Sequence, residues 1–153
     1  MIDEQRLRDF IRESNRIEGI EREPTQREIL LVQVVLGEEE ITVTLLDNAV
    51  NVFEPGAKLR DKTGMDVRVG NHIAPPGGPD IRTRLAGLVG SANTLKEPYG
   101  VHCAFERLHA FTDGNGRSGR LLWLWMMFRR DGVMPPLGFL HQFYYQTLAA
   151  SHD

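Results

Sequence analysis

The chain concentrates its chemistry at residues 109–120, His109-Ala-Phe-Thr-Asp113-Gly114-Asn115-Gly116-Arg117-Ser-Gly-Arg120, and the apolar run Leu121 to Phe128 follows at once. Gly114 and Gly116 can take backbone angles closed to other residues, so a turn built on them can bring N–H groups together on an anion. A helix beginning near Gly116 adds the partial positive charge of its N-terminus. Arg117 and Arg120 stand at i and i+3 in the first turn of that helix, on one face, and their forked donors match phosphate oxygens. Asp113 lies just outside the turn, where a carboxylate could hold Mg²⁺ bridging phosphate oxygens. His109, at the end of the preceding helix, could take a proton from an incoming hydroxyl at neutral pH. The order of parts is that of a polyphosphate site with a base beside it.

A second metal chemistry has to be weighed, because His102, Cys103, His109 and Asp113 are close in sequence. If one helix carries both histidines, a rise of ~1.5 Å per residue sets them roughly 10 Å apart. Ligands of one zinc ion each lie about 2 Å from it. The pair cannot share a metal without a break in the helix, and zinc is set aside.

The surrounding elements must deliver these side chains. The 153 residues suit one domain with a single ordinary core, and the apolar share of 41% and charged share of 25% are those of a globular protein. A net charge of −3 gives no reason to expect nucleic-acid or membrane binding. The N-terminus is charged throughout and does not read as a signal peptide; Cys103 is the only cysteine, so no internal disulfide forms. The expected location is the cytoplasm.

Leu7, Phe10, Ile11 and Ile17 sit at helical spacing within residues 3–18, and Gly19 closes that helix. Thr25 and Glu28 form a capping-box pair, so a second helix begins there and runs to about Leu36. Residues 29–53 carry strand-prone valines and threonines, which would allow a hairpin. The spacing of Leu45, Leu46, Ala49, Val52 and Phe53 favours two helices instead. Met65-Asp66-Val67-Arg68-Val69 alternates apolar and polar between Gly64 and Gly70, and reads as a short exposed strand, half of a hairpin. Further helices are expected from Pro79 to about Asn93, from Pro98 through His109, from about Gly116 to Arg130, and from Pro136 to about Ala150. The fold class is all-α, a helical bundle with one short β-hairpin.

At residues 109–120 the sequence resembles the Fic family, whose motif runs His-Pro-Phe-x-Asp/Glu-Gly-Asn-Gly-Arg-x-x-Arg. Every position matches except the proline, which is Ala110 here. The likeness extends over roughly residues 55 to 135. It implies transfer of AMP from ATP–Mg²⁺ to a Ser, Thr or Tyr hydroxyl of a target protein, with self-modification. In that scheme His109 deprotonates the hydroxyl, and Asp113 holds Mg²⁺. Gly114, Asn115 and Gly116 cradle phosphate, Arg117 and Arg120 bind the distal phosphates, and Phe111 anchors the loop. Residues 59–75, with Met65 to Val69 at their centre, resemble the family's flap, which pairs with an extended stretch of the target. A hairpin that merely caps the bundle is an equal reading of those residues. Alanine at 110 removes proline's constraint on His109, so the base is expected to be less rigidly placed.

Ser14-Asn-Arg-Ile-Glu18-Gly19 resembles the family's inhibitory motif, Ser/Thr-x-x-x-Glu-Gly/Asn. The likeness makes residues 1–19 an inhibitory helix in which Glu18 pairs with Arg120 and denies it to the ATP γ-phosphate. Removal of AMP by a water that Glu18 positions needs the same residues. A kinase-like transfer, as in the related Doc proteins, is disfavoured by Gly116, where those proteins carry lysine. A non-catalytic nucleotide-binding module is the non-enzymatic alternative. A homo-oligomer is possible.

Overall fold

The computed structural model describes residues 2–135; the helix expected from Pro136 lies outside them. Six helices and one hairpin occur among the described residues: α1 (Glu4–Ile17), α2 (Gln26–Gly37), α3 (Val43–Phe53), β1 (Arg68–Val69), β2 (His72–Ile73), α4 (Pro79–Asn93), α5 (Pro98–Leu108) and α6 (Asn115–Asp131).

Helix α6 is the axis of the bundle and touches all five other helices. Its sequence explains this position, because Leu121, Leu122, Leu124, Trp125 and Met126 leave no polar stripe for solvent. The outer helices instead each turn one apolar stripe inward, such as Leu7, Phe10 and Ile11 on α1.

Local signals set the helix ends. The capping box at Thr25 and Glu28 forms in both directions and starts α2. Thr42 caps α3 by accepting from the Leu45 N–H, so the strand-prone run at 41–44 is an extended lead-in to a helix. Asn93 holds that lead-in, donating to the Ile41 carbonyl at 2.9 Å and accepting from its N–H at 2.7 Å. The two-helix expectation for residues 29–53 therefore stands, and no hairpin forms there.

The hairpin is shorter than the sequence pattern implied. Only Arg68 and Val69 form a strand, paired antiparallel with Ile73 and His72. Met65 to Val67 lie outside it, and Met65 and Asp66 are engaged elsewhere. The Met65 carbonyl accepts from Arg60, and the Asp66 carboxylate accepts from the Gly77 N–H at 2.8 Å.

Candidate active site

Helix α5 ends at Leu108, and His109 follows in the left-handed region at φ 48°, ψ 58°. A non-glycine residue in that region is uncommon and costs energy unless its surroundings impose it. They do so here through Arg60. Its guanidinium donates to the carbonyls of His109 at 2.6 Å, Leu108 at 2.9 Å, and Met65 and Pro75, each at 2.9 Å. Its backbone N–H adds a bond to the Ala110 carbonyl at 2.9 Å. Arg60 is fully buried, and the carbonyl end of α5 supplies negative partial charge beside it. Hydrogen bonds thus hold His109 where proline is missing. Arg60→Met would strand four carbonyls, one buried and three partly buried, and is expected to lower unfolding free energy by about 3 kcal/mol in urea denaturation.

The turn after His109 is fixed from both sides. Phe111 is fully buried and bridges Leu59, while Thr112 donates its N–H to the Lys58 carbonyl at 2.8 Å. Asn115 clasps Phe111, accepting from its N–H at 3.0 Å and donating to its carbonyl at 2.8 Å. The Asn115 side chain thus holds the loop with one donor and one acceptor, and it also lines the cavity described below. Gly114, at φ 75°, enters α6 with no side-chain cap, which leaves the first-turn N–H groups for an anion.

A cavity of about 480 Å³ opens over this helix end, within the usual range for small-molecule sites. It brings together His109, Asp113, Gly114, Asn115, Gly116, Arg117, Arg120, Glu18 and the flap residue Val69. Ser14, Gly19, Phe111 and Met65 to Arg68 are not among its lining residues. Three lining residues carried no expectation from sequence: Ile20, Glu54 and Glu106.

Each motif arginine already holds a carboxylate. Arg117 donates to Glu54 at 2.7 Å and lies over the Phe53 ring, 5.4 Å from its centroid. Arg120, 2% exposed, donates to Ser14 Oγ at 2.8 Å, to the Ser14 carbonyl at 3.0 Å and to Glu18 Oε1 at 3.1 Å. Gly116 makes room for this arrangement, since a Cβ there would overlap Glu18 Oε1. The Glu18 carboxylate thus lies against the first turn of α6, where a phosphate would benefit from the same dipole.

The segment that carries Glu18 is anchored. Gly19 at φ 76° closes α1 in a Schellman turn, with Gly19 N–H on the Arg16 carbonyl and Ile20 N–H on the Asn15 carbonyl. Buried Asn15 donates to Glu28 at 3.3 Å, tying the end of α1 to the start of α2.

Burial sets the protonation states. It pushes the His109 imidazole down to about 4, with Arg60 adding in the same direction, so the ring is neutral at physiological pH. Burial also lifts the Glu106 carboxyl to about 8 and lowers His102 to about 3. His102 donates from Nδ1 to the Gly119 carbonyl at 2.9 Å and stacks on Trp123, a packing role separate from the motif. No group of three or more His, Cys, Asp and Glu able to hold a metal occurs among the described residues. Asp113 offers one carboxylate, whose Oδ1 accepts from the Gly114 N–H at 2.7 Å. One carboxylate alone suits only a hard cation that brings most of its oxygen ligands with it.

Fold and site together define a helical domain whose central helix begins at a glycine turn under a cavity lined by two arginines. The Fic/DOC family model matches residues 38–127, more than half the chain, and the protein belongs to that family. A crystal structure of a Fic family protein from Desulfovibrio desulfuricans G20 is similar, with a TM-score of 0.57 and 21% sequence identity. The match covers 97% of this chain and 56% of that one, so this chain spans about half the length of that protein. No curated protein matches it. Among the described residues no helix is long and apolar enough to cross a membrane.

Proposed function

We propose that this protein is an autoinhibited protein adenylyltransferase. The observation that supports this reading best is the Glu18–Arg120 pair laid over Gly116 inside the motif cavity. The N-terminal turn of α6 would hold the phosphates of ATP, and Asp113 would hold the Mg²⁺ that accompanies them. Arg117 and Arg120 exchange their carboxylates for phosphate oxygens. The target hydroxyl oxygen attacks the α-phosphorus while His109 accepts its proton; the bond to the β-phosphate breaks, and pyrophosphate leaves. A target strand adding along the exposed edge of Arg68 and Val69 would bring the hydroxyl close, because Val69 lines the cavity.

Because His109 is neutral down to about pH 4, the acid limb of the transfer rate is expected near that value. A pH–rate profile of the Glu18→Gly variant with a limb at the ordinary histidine value of about 6.5 would contradict its role as base. The reading as a whole is tested by incubating that variant with α-labelled ATP and a cell lysate, where label on protein is expected. Incubation with AMP-modified target tests removal, which Glu18 would serve by holding water.

A further inference from the structure

Glu106 stands on α5 three residues before His109 and is 8% exposed. It lines the motif cavity, and its Oε1 has no hydrogen-bond partner among the described residues. The nearest basic nitrogen among the described residues, His102 Nε2, lies at 4.0 Å, beyond hydrogen-bond reach. Gly119, one turn along from Gly116, has no side chain to interfere, and a Cβ there would overlap Glu106 Oε1. Two carboxyl groups thus lie along one face of α6, Glu18 against Gly116 and Glu106 against Gly119. Of the two, only Glu18 has a guanidinium partner among the described residues. An unpaired carboxylate in such a place would be strongly penalised.

Resting on the nucleotide-binding reading above, we infer that Glu106 is a further nucleotide-binding residue that acts as a neutral acid, donating its carboxyl O–H to a distal phosphate oxygen of ATP held at Arg120. The proton gives the cavity a donor that the two arginines do not supply, in the corner next to Arg120. It also spares the phosphates a second negative charge beside Glu18. Burial holds that proton in place at neutral pH, and the Glu18 charge acts in the same sense, while Arg120 opposes them. The remaining groups around this carboxyl are neutral His102 and His109 on and after α5, Arg117 on α6, and Glu54 and Asp113 on the far wall.

A bound polyphosphate disfavours ionisation further, so binding and protonation of Glu106 are linked. ATP–Mg²⁺ affinity of the Glu18→Gly variant, measured by calorimetry, is expected to weaken several-fold between about pH 7 and about pH 9, a range that reaches below about 8 because the variant lacks the Glu18 charge. Glu18→Gly/Glu106→Gln carries a donor that does not titrate, and its affinity is expected to stay flat over that range. ATP's own titration is common to both and cancels. Glu18→Gly/Glu106→Leu should bind more weakly than the glutamine variant at every pH. An equal alkaline loss with glutamine at 106, or equal affinity with leucine and glutamine, would overturn the assignment. If the leucine variant does not fold, the near-isosteric glutamine comparison decides alone. Absence of ATP binding by Glu18→Gly at neutral pH would instead overturn the nucleotide reading itself.

Discussion

Substituting His109 by alanine is expected to abolish AMP transfer, by a factor of at least about a hundred, while ATP binding survives. The two effects separate because the histidine and the phosphate contacts come from different parts of the turn. His109 is held by Arg60 through its own carbonyl, before the turn. The anion contacts come from Gly114 onward and from Arg117 and Arg120 on α6. The clasp between Asn115 and Phe111 does not involve the His109 side chain, so the turn keeps its shape when the imidazole is removed. Label transfer and calorimetry on the same preparation check this result. A parallel loss of both would mean that the histidine holds the site together and is not its base.

Glu18→Gly is expected to act in the opposite direction, raising transfer by about tenfold. A charge-assisted hydrogen bond contributes about 1.5–3 kcal/mol when well shielded. The Glu18 side chain is 37% exposed, so the lower end of that range applies, and about 1.4 kcal/mol is tenfold. The substitution also vacates the position against Gly116, which removes negative charge from the place proposed for phosphate. Ser14 keeps two bonds to Arg120, so the guanidinium stays aimed into the cavity. Glycine at 18 does not disturb the Schellman turn, whose bonds are made by backbone. ATP affinity and self-modification of the variant should rise together. A rise in transfer without a gain in ATP affinity would place the effect of Glu18 after binding.

Much of this site was legible in the sequence because motif order maps onto local geometry. The i, i+3 spacing put Arg117 and Arg120 on one face, and the capping-box pair and Gly19 located helix ends where the structure has them. The strand-prone run at 41–44 misleads propensity alone, since Thr42 serves as a helix cap and Ile41 is held by Asn93. The reach of the flap strand was overread, because alternation does not reveal that Arg60 and Gly77 already hold Met65 and Asp66. Arg60 itself gave no signal, since an arginine satisfied by four carbonyls has no charged partner to find in sequence. Glu54, at the end of α3, was equally silent, as its pairing with Arg117 spans 63 residues. Glu106 could have been suspected, because it stands in the last turn of α5 three residues before the motif histidine.

The central claim is that the motif transfers AMP and that Glu18 restrains it by occupying Arg120. The most direct measurement compares the unaltered chain with Glu18→Gly in one lysate, using ATP labelled at the α-phosphate in one arm and at the γ-phosphate in the other. The account predicts protein-bound α-label that is stronger with Glu18→Gly, and γ-label no higher than in lysate alone. Equal α-labelling by the two chains, or label carried from the γ-phosphate, would contradict it.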